Sequence, residues 1–310
     1  MRRHRIILGI FCLACVPASA DQPFRVEPVA RAQAPQAAAA TPPDPAVGVV
    51  YVCPMDPDIR SHQAGTCRRC GMTLVADIPE PVEFHVDVNL IPPAPVPRQP
   101  AVLDFHVHDP WKDRPVVDYN VVHERLFHAF VVGEDLTFFE HAHPTFVADG
   151  RFQYPIRFPQ GGMYRILSDF YPAGATPQLT VQTVFVPGAA TAAFPVQLLP
   201  DLSEKAGTNM RVALETIPLQ PVVGKRTQLR FTIDHVDGLQ RYLGAWGHLL
   251  AASDDLIDMI HEHPTRTDEG SQVEFEIVFP RPRTYRIWVQ FQKHDVVNTV
   301  RFDVAAQIAR

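Results

Sequence analysis

The chain has 310 residues, room for roughly two domains, and its formal charge of −6 at pH 7 argues against nucleic acid or an acidic membrane surface as a partner. Of its 5 cysteines, Cys12 and Cys15 lie near the N-terminus and Cys53, Cys67 and Cys70 lie together, so that last group is odd in number and disulfides cannot use all of it.

In chain order, Arg2, Arg3 and Arg5 precede an apolar run from Ile6 to Val16, and Ala18-Ser19-Ala20 supplies a small-residue cleavage site. Residues 1–20 are therefore expected to be a cleaved signal peptide, giving a periplasmic or secreted protein three units more negative than the full chain. The apolar run is about half the ~20 residues that span a bilayer, and no membrane span is expected after signal removal. Cys12 stands where a lipid-attachment motif on Cys15 needs Leu, which argues against a lipoprotein. Residues 21–48, dominated by Ala and Pro, read as a disordered linker because they carry too little apolar surface to offset ordering entropy.

Residues 49–78 form the next unit. Thirty residues are too few for an ordinary hydrophobic core, so a metal or a docking surface must support the fold. Cys67 and Cys70 make a CxxC pair, and Cys53 can return to it as a third soft donor. Asp56, His62, Met55 and Met72 are candidates for a fourth. Thiolate and thioether ligands select Cu(I) or Zn(II) over Mg(II) or Ca(II). A Cys67–Cys70 disulfide is the competing reading in an oxidising compartment.

The pattern Tyr51-x-Cys53-Pro54-Met55-x-Pro57, then Gly65-x-Cys67-x-x-Cys70-Gly71-Met72-x-Leu74, resembles the small heavy-metal-binding domain appended to bacterial copper and zinc efflux proteins. That resemblance implies metal ligation by Cys53, Cys67 and Cys70, with Asp56 standing where the family usually has His and Arg68 where it usually has Pro.

From Glu83 onward the sequence alternates in short strand-like runs, such as Leu103-Asp104-Phe105-His106-Val107, and no long helical stripe occurs. The stretch beginning at Val86 lies over that beginning at Val212, "FHAFVVGEDLTFFEHAHP" over "GHLLAASDDLIDMIHEHP", and "MYRILSDF" over "TYRIWVQF". This duplication predicts two tandem β-sandwich repeats with an immunoglobulin-like outline, at residues 82–188 and 208–306, in a mainly β protein.

Each repeat carries His-x12-His-x-His-Pro: His128, His141 and His143, then His248, His261 and His263. Residues two apart on a strand share a face. With Glu134-Asp135 and Asp254-Asp255 as two-residue hairpin loops, His128 is expected opposite His141 and His248 opposite His261, three imidazoles converging on one ion in each repeat. His123 has an apolar or Gly counterpart and is expected as an extra ligand in the first repeat only. His106 and His108, matched by Thr232 and Asp234, read as a solvated strand face, and Asp169, His235 and His294, unpaired across the copies, are minor candidates. The run from Asp104 to Pro144 also resembles exported bacterial proteins, often encoded near copper-resistance functions, that carry such β domains beside a heavy-metal domain, which implies metal handling.

The expected function is heavy-metal binding in the cell envelope: capture of a copper or zinc ion and release to a metal-efflux transporter or periplasmic metal chaperone. One alternative is a copper- or zinc-dependent enzyme at the three-His sites, although no paired base or nucleophile accompanies them and no catalytic residue is assigned. The other is an accessory or adaptor subunit of a metal-efflux system, although such adaptors carry long amphipathic helical hairpins and this sequence shows no such periodicity.

Overall fold

The computed structural model describes residues 50–55, 59–61, 63–77, 83–110, 114–173, 175–188, 195–266 and 271–309. The expected signal peptide, the expected linker, Asp56 and His62 lie outside them. Every regular element among the described residues is a strand.

Strands β1 (Val50–Val52), β2 (Arg60–Ser61) and β3 (Val75–Asp77) form one small antiparallel sheet in the order β2-β1-β3. Its interior is Cys53, Ile59, Cys67 and Leu74, packed by Tyr51, so two of the three thiols sit in the centre of the miniature core.

The first repeat contains β4 (His85–Ile91), β5 (Ala101–Asp109), β6 (Arg114–Pro115), β7 (Phe127–Gly133), β8 (Phe139–Ala142), β9 (Thr145–Ala148), β10 (Arg151–Ile156), β11 (Gly162–Phe170) and β12 (Gln178–Val186). One sheet runs β4-β5-β10-β9, with β6 on β5, and the other runs β12-β11-β7-β8. The second repeat has an added edge strand β13 (Lys205–Ala206), then β14 (Arg211–Ile217), β15 (Arg226–Ile233), β16 (Leu239–Gln240), β17 (His248–Ser253), β18 (Met259–Glu262), β19 (Pro264–Arg266), β20 (Gln272–Val278), β21 (Thr284–Lys293) and β22 (Val296–Ala305). Its sheets run β13-β14-β15-β20-β19 and β16-β21-β17-β18, with β22 on β21. The two repeats thus share the order of their eight main strands, as a duplication requires, while the short strands β6 and β16 join different sheets.

Alternating side chains fill each sandwich: Leu103, Phe105, Phe127, Val131, Phe152 and Ile166 in the first, and Leu229, Phe231, Leu249, Phe275, Ile287 and Phe291 in the second. Strands β7 and β17 are buried along their whole length, on both faces. The residues between the sandwich-facing positions, Phe130 and Val132 of β7 and Leu250 and Ala252 of β17, join Leu136, Leu167, Leu256 and Trp288 in a third core that belongs to both repeats. Phe139 stacks on Trp288 across it, with centroids 5.0 Å apart. Reciprocal polar contacts accompany the packing: Arg165 donates to the Leu256 carbonyl at 3.1 Å, and Arg286 to the Leu136 carbonyl at 3.0 Å.

Candidate metal centres

In the small domain Cys53 Sγ and Cys70 Sγ are 3.4 Å apart, well beyond the ~2.05 Å of a disulfide bond. None of Cys53, Cys67 and Cys70 is in a disulfide, and their sulfurs all lie within 4.8 Å of one another. The turn that gathers them is closed by Gly71 N–H donating to the Cys67 carbonyl at 2.8 Å and Cys67 N–H to the Met72 carbonyl at 2.7 Å. Gly71, at φ +76°, takes the left-handed conformation that a side chain would resist. Desolvation works to raise the Cys67 thiol, but hydrogen bonds from the Cys70 and Arg69 amides and from the Cys53 and Cys70 thiols leave it lowered. Met55 is 70% exposed.

The histidines converge, with a correction to the expected register. Strand β7 pairs with β8 so that Phe130 faces His141, and β17 pairs with β18 so that Leu250 faces His261. His128 and His248 are therefore not directly across from His141 and His261. The loops are longer than two residues. Gly133 N–H donates to the Phe138 carbonyl and Ser253 N–H to the Asp258 carbonyl, leaving four residues in each loop. Asp135 and Asp255 bond the amides of Thr137 and Ile257 two residues on, and Leu136 and Leu256 adopt positive φ of 56° and 52°. The register shifts by two residues, an even number, so each histidine keeps its face.

The shared face is what matters. One nitrogen of each of His128, His141 and His143 lies within 4.8 Å of the others, and the same holds for His248, His261 and His263. Both trios lie on the face that meets the other repeat. The His128 and His248 rings are 6.3 Å apart and those of His141 and His248 5.4 Å, so the six imidazoles form one cluster. His123 stacks on His263 of the second repeat at 3.8 Å and meets His248 edge-on, and among the described residues it is not part of either three-nitrogen group. The first-repeat role expected for His123 is thus corrected: its ring packs against the second trio.

Tautomers follow from the outer partners. His128 Nε2–H donates to the Val122 carbonyl at 3.0 Å and His248 Nε2–H to the Tyr242 carbonyl at 2.9 Å, which leaves each Nδ1 with its lone pair. His261 Nδ1–H donates to Asp169 Oδ2 at 2.7 Å, and a carboxylate can only accept, so the neutral ring carries its lone pair on Nε2. His141 Nδ1–H donates to Gln290 Oε1 at 2.7 Å, while the Gln290 amide donates to Thr299 Oγ1. His143 Nε2, His248 Nδ1, His261 Nε2 and His263 Nε2 are buried with no hydrogen-bond partner among the described residues. His128 Nδ1 and His141 Nε2 face each other at 3.2 Å. Two lone pairs at that distance repel, but with metal–nitrogen bonds of ~2.05 Å the edge of a tetrahedral site is about 3.3 Å.

Burial, the largest cause throughout, drives the ring pKa values down: to about 4 at His128, against the opposing Val122 carbonyl, and to about 3 at His143 and His248. Burial followed by repulsion from His143 and His248 holds His141 well below the usual range, and burial with repulsion from His261 and His123 lowers His263. His128, His141, His143, His248 and His263 are neutral at pH 7 and have lone pairs to give.

Elsewhere, His106 bonds the Asp149 carbonyl and His85 and His108 flank Asp87, an ordinary polar strand face. His294 lies 3.7 Å from Asp237. Asp169, a minor candidate in the sequence, joins the site, and Gln290, which stands at the equivalent position of the second repeat, is the site residue that sequence reasoning missed. They pair with His128 and His248 across their own sheets, then reach the other repeat's histidine.

No curated protein matches the chain. Among solved structures it is similar to the Yersinia pseudotuberculosis adhesin InvE (12% identity, 73% of this chain and 60% of that one, TM-score 0.22). It is also similar to the Escherichia coli adhesin FdeC (12% identity, 76% and 68%, TM-score 0.25) and to the FN1-FN3 domains of chicken CNTN1 (8% identity, 76% and 68%, TM-score 0.22). Likenesses this slight carry no argument. Residues 50–76 match the Heavy metal binding domain family. Residues 82–186 and 205–307, well over half the chain, match the family described as Domain of unknown function (DUF8832), and the chain belongs to that family, with its two copies preceded by a heavy metal binding domain.

Proposed function

We propose that the protein is an exported metal-capture protein that binds copper or zinc in the cell envelope and releases it by ligand exchange to a transporter or metal chaperone. The observation that carries this reading is the group of buried imidazole nitrogens turned toward one another without partners, in both repeats. Neutral imidazoles suit Cu(II) and Zn(II), and clustered thiolates suit Cu(I) and Zn(II), so the two kinds of centre together serve copper in both oxidation states. Capture at His128, His143 and His248 releases few protons at pH 7, because their lone pairs are already bare. The N-terminal sequence supports export.

Titration with Cu(I), Cu(II) and Zn(II), followed spectroscopically, tests the assignment. Cys53→Ser is expected to abolish the thiolate stoichiometry and His141→Ala to reduce the imidazole stoichiometry, each leaving the other intact. Unchanged stoichiometry in both variants would defeat it.

A cleft of about 670 Å³ bordered by His141, Tyr242 and Gln290 supports a second reading, a copper- or zinc-dependent enzyme whose substrate enters there. Turnover of phenols or peroxide by the metal-loaded protein, lost in His141→Ala, would favour it over simple capture.

A further inference from the structure

The two trios differ in what backs them. His261 is backed by the carboxylate of Asp169, and His141 by the neutral amide of Gln290, at the same 2.7 Å. Both backing groups come from the opposite repeat, and they occupy equivalent strand positions, Asp169 beside His128 and Gln290 beside His248. A carboxylate on the outer nitrogen makes an imidazole a stronger donor and adds a negative charge beside a cation, whereas an amide only orients the ring. The cleft adds a second asymmetry, since it reaches His141 and Gln290 and touches none of His248, His261 or His263.

We infer that the histidines form a two-ion centre shared by both repeats, with a tight site at His248, His261 and His263 set by Asp169, and a weaker, exchangeable site at His128, His141 and His143 that opens to the cleft. This rests on the metal-binding reading above and adds order and adjacency to it. Two dications this close repel, which widens the gap between the steps. The carboxylate decides which trio fills first. The second ion is then the one positioned for delivery, because its site is the weaker and the one bordered by solvent-filled space.

The test uses the full chain with Cys53, Cys67 and Cys70 all changed to Ser, titrated with Cu(II) alone and read by calorimetry and electron paramagnetic resonance. Two steps are expected, the first giving an isolated-ion spectrum and the second a dipole-broadened one. His263→Ala is expected to remove the tight step and His143→Ala the weak one. Asp169→Asn is expected to weaken the first step about 10- to 100-fold. The exchange Asp169→Asn with Gln290→Glu is expected to reverse which of His143 and His263 supports the tight step, a result that a loss of folding does not produce. Two equal steps, one ion only, or an uncoupled spectrum after two equivalents would overturn the inference while leaving metal binding in place. Absence of any Cu(II) uptake would overturn both.

Discussion

His128 illustrates how its surroundings make a residue available as a ligand. Its outer nitrogen is spent on the Val122 carbonyl, its inner one is held 3.2 Å from that of His141, and burial keeps the ring neutral. The same circumstances make the metal-free centre sensitive to acid. His128, His143 and His248 have an ordinary pKa of 6.5 when unfolded and about 4, 3 and 3 when folded. Between those values the unfolded chain binds more protons than the folded one, so stability falls as pH drops below about 6.5 and continues to fall toward about 3. Urea midpoints of chelator-treated protein, measured from pH 8 down to pH 4, are expected to be flat above pH 7 and to decline steadily below it. A flat profile throughout would mean that the rings are not buried as neutral bases.

At the scale of elements, β7 and β17 do two jobs with alternate residues. Phe127, Ala129 and Val131 fill the first sandwich, while His128, Phe130 and Val132 face the neighbouring repeat. Phe130 is central to the second job, with its ring 4.2 Å from that of His141 and 4.5 Å from that of His261. It therefore packs against one imidazole from each trio. Phe130→Ala is expected to cost about 3–5 kcal/mol, the usual range for a buried aromatic, and to weaken metal uptake by both trios. Denaturant unfolding and metal titration of the same sample check the two halves of that expectation. The four-residue loops after these strands matter equally: the Asp135 and Asp255 turns set a register whose even shift keeps His141 and His261 on the shared face.

At the scale of the molecule, the two repeats share a core and exchange supports. Arg165 and Arg286 bond carbonyls across the boundary, as Asp169 and Gln290 bond imidazoles across it. Repeats joined this way are expected to melt together. Calorimetry should show one transition for the two, raised by about 2.7 kcal/mol of added stability when free metal stands at 100 times its dissociation constant. Two separate repeat transitions, insensitive to metal, would show that the boundary is not coupled to the centre. Trp288→Ala, which removes the ring stacked on Phe139, should lower or split that transition.

Much of this was legible in the chain. Local alternation and the internal duplication pointed to tandem β repeats, because a period of two and a repeat length near a hundred residues leave few other folds. The spacing of Cys53, Cys67 and Cys70 identified the small domain, since its ligands lie close in sequence. His-x12-His-x-His gave each trio, because face parity survives an even error in register. What the chain alone did not disclose was that the trios meet. That depends on the outer faces of β7 and β17 packing against each other, and the only local trace is the absence of polar alternation in Phe127–Gly133 and His248–Ser253. The roles of Asp169, only a minor candidate in the chain, and of Gln290 were hidden for the same reason, as their partners lie 92 and 149 residues away, and only the docking of two whole domains brings such groups to hydrogen-bond distance.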